Sequence, residues 1–196
     1  MDESTKTAIL EASDRAAIQK VLGLYCRAID RLDVELLKSV YHTDGVDDHG
    51  AICANAHEFA DRIIAMLREV CVHTLHTVTH TVIDLQGDRA SAESYYLAIH
   101  TVEAGDEAIS KFFGESYLNA EQAAGRTAQR HEYLCSGRYL DQLARREGAW
   151  RILRRKMTNE WGVCRAEQVV KEGVPGAFAV AGSRDRGDPV YLLLSH

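Results

Sequence analysis

The chain has 196 residues, 46% of them hydrophobic and 27% charged, with a net charge of −6; these are the proportions of one soluble globular domain with an extension, large enough to bury a core without metal or disulfide staples. The acidic balance, with no Lys/Arg run, argues against a nucleic-acid partner, and no stretch nears the roughly 20 apolar residues of a membrane span. Five scattered cysteines (Cys26, Cys53, Cys71, Cys135, Cys164) with no C-x-x-C pair read as buried thiols in a reducing compartment, and the start of the chain lacks the pattern of a secretory signal, so the expected location is cytoplasmic.

From Ser13, an expected N-cap, apolar residues recur at Ile18, Val21, Leu22, Tyr25, Ile29 and Leu32, the stripe of an amphipathic helix ending near Arg31. A second helical pattern covers 34–41 and closes in Thr43-Asp-Gly45; a third covers about 57–70, with Phe59, Ile63, Ile64 and Leu67 as its apolar face. From Thr74 the β-branched run Thr77, Val78, Thr79, Thr81, Val82, Ile83 predicts a strand entering a turn at Gln86-Gly-Asp-Arg89, with 90–102 as its partner. A second hairpin is expected from 132–145 and 149–161, around Arg146-Glu-Gly148. Helices followed by antiparallel strands define an α+β domain over 1–161. The connection 106–130, partly helical in pattern, is long for a hairpin and reads as a lid. Residues 162–196, looser and glycine-rich, are expected to pack on the domain or on a neighbouring subunit.

Three segments carry candidate chemistry. Asp30 lies about 120° around the first helix from its apolar centre, so spacing alone leaves it on a flank. On a helix, His73, His76 and His80 would share a face and suggest a metal site, but the β-branched residues around them argue for a strand. Alternation then places His76 and His80 on one face with Val78 and Val82, about 13 Å apart at roughly 3.3 Å per residue. One zinc ion could not bridge that span, and no metal is expected. In the last strand, alternation puts Leu153, Arg155 and Met157 on one face and Trp150, Ile152 and Arg154 on the other.

The run Ala16-Ala-Ile18-Gln19 with Tyr25 and Asp30, then His76 followed by Ile83-Asp-Leu-Gln-Gly-Asp-Arg-Ala90, then Gly137-Arg-Tyr139 and Gly148-Ala-Trp-Arg-Ile152 with Arg155, together resemble the SnoaL-like branch of the nuclear transport factor 2-like superfamily. The resemblance spans about 13–161. It implies a curved antiparallel sheet wrapped against helices to form a cone around an apolar cavity. In the family's hexachlorocyclohexane dehydrochlorinase and bile-acid dehydratase members, the helix Asp, strand His and late Arg face that cavity.

Carried onto this chain, the resemblance implies His76 as general base, Asp30 as its orienting carboxylate, and Arg155, with Tyr25, as the groups assisting departure of a leaving group. His80 stands where many relatives have Asn; with His49, Tyr96 and His100 it is a candidate for the substrate-binding wall. The implied activity is that of a lyase needing no cofactor, removing water, halide or formaldehyde from a small apolar, ring-containing molecule, lignin-derived aromatics included. A homo-oligomer, trimer or dimer, is implied with it. Two rival readings share the cone: an isomerase of the ketosteroid type, which conserves mass, and a non-catalytic small subunit or binding protein.

Overall fold

A computed structural model describes residues 1–168, 172–177 and 182–193. The first helix, α1 (Glu3–Asp30), begins eleven residues before the expected start, because Asp2 rather than Ser13 caps it, accepting the Thr5 N–H at 2.8 Å. Only its second half is buried, through Ile18, Val21, Leu22, Tyr25, Ala28 and Ile29, the stripe of a 3.6-residue period. Asp14 is therefore mid-helix. It accepts from Trp150 Nε1 and Arg145 Nη1, both at 2.8 Å, and pins α1 to the far hairpin.

After α2 (Val34–Ser39), capped by Asp33, the chain forms β1 (Tyr41–Asp48) and β2 (Cys53–Asn55) before α3 (Ala56–Val70). These two strands were not expected, since polar Thr43, Asp44, Asp47 and Asp48 disguise the first. Asn55 caps α3, whose buried face is Ala56, Phe59, Ala60, Ile64, Leu67 and Val70. The long strands β3 (Cys71–Gln86), β4 (Arg89–Val102), β5 (His131–Arg146) and β6 (Ala149–Ala166) follow, with α4 (Asp106–Phe113) and α5 (Glu115–Ala123) between β4 and β5. The six strands form one curved mixed sheet in the order β2-β1-β6-β5-β4-β3, antiparallel except where β1 runs parallel to β6.

The turn of the second hairpin has positive φ at both Glu147 (53°) and Gly148 (77°), matching the right-handed twist of the strands it joins. Extra residues bend this sheet, Val72 between the pairs Cys71–Val102 and His73–Thr101 among them, each changing which face the chain beyond it presents. On β3, Thr79 and His80 together oppose Tyr95; on β6, Leu153 and Glu160 are each unpaired additions opposite β5. The faces expected from strict alternation are therefore corrected. Val82 is exposed while His76 and Val78 point inward, and Trp150, Ile152, Arg155 and Met157 all share the inner face. At the Glu160 bulge, Gly137 is pressed so closely that a Cβ there would lie 1.9 Å from the Thr158 carbonyl oxygen.

β6 runs five residues past Trp161, pairing to Ala166, so the sheet continues into the expected extension. Residues 169–171, 178–181 and 194–196 of that extension lie outside the described residues. Between these stretches lie two short helical turns, α6 (Gly173–Ala177) and α7 (Pro189–Leu193). The stretch around α7 docks on the same chain. Asp188 pairs with Arg31 at 2.9 Å, Tyr191 donates to Asp33 at 3.0 Å, and Arg184 donates to the carbonyls of Leu67 and Cys71. Cys26, Cys71 and Cys135 are buried, whereas Cys53 and Cys164 are exposed, contrary to the expectation for all five.

Candidate active site

The inner face of the sheet, α1 and α3 enclose a cavity of about 180 Å³. Its apolar walls are Ile29, Ile63, Met66, Leu67, Phe112 and Met157; its polar groups are Tyr25, His49, His76, Tyr96, His100, Tyr133, Tyr139 and Asn159. A dry cavity of about 150 Å³ takes a benzene molecule, so the space suits a ligand built on one substituted ring.

At one wall the last residue of α1 meets β3. Asp30 Oδ1 lies 2.7 Å from His76 Nδ1 while its Oδ2 accepts the His76 backbone N–H at 2.9 Å. One carboxylate thus fixes both the main chain and the ring of the same residue. An anionic acceptor at Nδ1 requires a proton there, which leaves Nε2 as the basic nitrogen. Asp30 is 4% exposed, behind the histidine and outside the cavity lining. The bulge at Thr79 and His80 is what turns His76 inward.

His100 on β4 packs edge-on against His76, ring centroids 5.1 Å apart. Burial, and secondarily the neighbouring His76, depress its pKa to about 3, so this imidazole is neutral in the physiological range. Its buried Nδ1 has no hydrogen-bond partner among the described residues. A buried polar atom left unpaired costs about 1–3 kcal/mol, which a ligand hydroxyl could relieve. Tyr96 stacks on Tyr139 at 4.6 Å and donates to the Thr158 carbonyl at 3.3 Å.

Arg155 is fully buried on β6 but is not part of the cavity lining. Asp141 on β5 takes its Nε and Nη2 at 2.7 and 2.8 Å, and its guanidinium lies 4.0 Å from the Tyr25 ring centroid and 4.1 Å from that of Tyr139. Against burial, Asp141 and the nearby tyrosines hold its pKa well above the ordinary value. The resemblance has Arg155 facing the cavity; here it does not line it, and Tyr25 and Tyr139, which do, lie against its guanidinium. Burial pushes the Tyr25 phenol far upward, so it is a neutral donor.

His80 is exposed and outside the cavity, because it belongs to the β3 bulge and no longer alternates with His76. His49 does line the cavity, stacked on Phe59 at 4.6 Å. Sequence reasoning missed its partner. Asp47, with no exposure, binds His49 Nδ1 and accepts the Tyr41 hydroxyl. Asp141, the counter-ion of Arg155, was missed as well; its signal is a carboxylate inside the otherwise apolar alternation Cys135, Gly137, Tyr139, Leu143, whereas polar β1 offers none for Asp47.

The cone, the enclosed cavity and a histidine–carboxylate pair in its wall place the molecule among the nuclear transport factor 2-like proteins. The SnoaL-like domain matches residues 10–156, and the chain belongs to that family. Among solved structures it is similar to the LinA-type3 hexachlorocyclohexane dehydrochlorinase of Novosphingobium barchaimii, with 15% identity over 83% of this chain and 97% of that one and a TM-score of 0.62. A provisionally named scytalone dehydratase of Novosphingobium aromaticivorans is 18% identical over 86% of this chain and 99% of its own, with a TM-score of 0.61. A protein of Kribbella flavida is 19% identical over 78% and 95% of the two chains, also with a TM-score of 0.61. Identities this low show a common fold. No curated protein matches by sequence.

Proposed function

We propose that the protein is a lyase that eliminates a small group from a one-ring apolar molecule using side chains alone. The observation that carries this reading is the Asp30–His76 pair at the cavity wall, with Nδ1 held at 2.7 Å and Nε2 left as the base. In the reaction, His76 takes a proton from the ligand and Asp30 stabilises the imidazolium. Tyr25, backed by the Arg155 charge, donates to the oxygen or halide on which negative charge develops. Water, halide and formaldehyde are all losses that this arrangement can assist. Phe112 brings α4 to the cavity, and the 106–130 segment acts as its lid. Five free cysteines suit a cytoplasmic setting.

The test compares Asp30→Asn and His76→Ala with the parent. Both are expected to remain folded by circular dichroism and to lose about 10²- to 10⁴-fold in turnover; full activity in either one contradicts the reading. The non-catalytic alternative draws on a different feature, the outer sheet face, where Leu75, Tyr95, Leu97, Trp161 and Val163 are 40–53% exposed. That face suits a homo-oligomer or another subunit. A stoichiometric partner chain together with indifference to both substitutions would favour the subunit role.

A further inference from the structure

A second histidine–carboxylate pair faces the same cavity. β1 carries Asp47 into the interior, where it has no exposure, and the chain then turns so that His49 N–H donates to the Ile52 carbonyl at 2.8 Å. Asp47 receives two groups, the Tyr41 hydroxyl on one oxygen and His49 Nδ1 on the other. The ring stacks on Phe59 with its plane 26° from parallel. Turn, carboxylate and stack hold His49 without help from a ligand, and with Nδ1 engaged by Asp47, Nε2 is the ring nitrogen left to gain or lose a proton. No arginine or lysine bonds Asp47 among the described residues, so its charge is left to His49; the Arg155 carboxylate partner is Asp141.

One base does not need such a companion if the departing group is chloride, which leaves as a stable anion. Hydroxide is a far poorer leaving group and departs readily only when its oxygen is protonated as the carbon–oxygen bond breaks. We infer that His49 is the general acid of this site and that its substrates are ring alcohols that lose water. The inference rests on the lyase reading above. In the step, His76 Nε2 takes a proton from the carbon beside the carbinol carbon, and the C–H electron pair becomes the new C=C bond. The C–O bond breaks with its electrons on oxygen, which takes the Nε2 proton of a protonated His49 and leaves as water. His76 ends protonated and His49 neutral, and exchange with water restores both. Neutral His100, with its unpartnered Nδ1, is placed to hydrogen-bond a second ligand oxygen.

The experiment uses 3-hydroxycyclohexanone and 3-chlorocyclohexanone, each corrected for its uncatalysed elimination, with the parent, His49→Gln, His49→Phe and His76→Ala proteins. His49→Phe keeps a ring to stack on Phe59 while removing the proton, which guards against a purely structural loss. Both His49 variants are expected to lose at least about 10²-fold more on the alcohol than on the chloride, while His76→Ala loses both. Equal loss on the two substrates, or none on the alcohol, overturns the role of His49 and leaves the lyase reading standing. Elimination from neither substrate by the parent, or from both by His76→Ala, overturns the lyase reading and this inference with it.

Discussion

Changing Asp141 to Asn removes the anion that is hydrogen-bonded to a guanidinium with no solvent access. Both side chains of the Asp141–Arg155 pair are 0% exposed, and the contact is bidentate at 2.7 and 2.8 Å. Intact, such a pair contributes little net stability, since desolvation offsets attraction; broken on one side, it leaves an uncompensated buried charge, at a cost of about 3–5 kcal/mol. With a urea slope of about 2 kcal/mol/M for a domain of this size, the denaturation midpoint should fall by about 1.5–2.5 M. The double variant Asp141→Leu with Arg155→Met should regain most of the loss, because no charge is then stranded. Asp44→Asn is the control: its partner Arg146 and Asp44 itself are 42% and 59% exposed, and the midpoint should not move measurably. If Asp141→Asn shifts the midpoint no more than Asp44→Asn does, the buried-pair reasoning is wrong.

Two further outcomes follow from local geometry. Gly137→Ala places a methyl group 1.9 Å from a backbone oxygen, an overpacking of about 3 kcal/mol that should lower Tm by about 6–12 °C; an unchanged Tm would mean that the bulge opens freely. His100 has a pKa lowered from 6.5 to about 3 by burial and by His76, with Arg184 adding to the effect. The unfolded chain therefore takes up a proton that the native one refuses, so stability falls as pH drops below about 6.5. Between pH 7 and pH 5 this group should remove about 2 kcal/mol. Urea denaturation at both pH values should show that loss in the parent and less of it in His100→Phe; identical pH dependence in the two would contradict it.

Helix stripes, the two hairpin turns and the β-branched run were legible because each rests on local periodicity or on a turn that demands particular residues. The bulges were not. From the pairing of Arg146 with Ala149, uninterrupted antiparallel register would set Arg155 opposite Leu140; the extra residue Leu153 sets it opposite Asp141. In the same way, the pairing of Gln86 with Arg89 would set His76 opposite Ile99, and one extra residue sets it opposite inward-facing Ala98. A one-residue slip decides both sites, and nothing in the local composition marks it. His80 was misplaced for the same reason. β1 was missed because buried Asp47 looks like a surface residue until Tyr41 and His49 are seen to satisfy it.

The most direct test of the central claim is mass spectrometry of products formed from one-ring compounds bearing hydroxyl, halide or hydroxymethyl groups, with the parent and His76→Ala proteins side by side. A product lighter by the eliminated group is expected from the parent and none from His76→Ala. A product of unchanged mass would instead identify an isomerase, and equal product from both proteins would remove His76 from the chemistry.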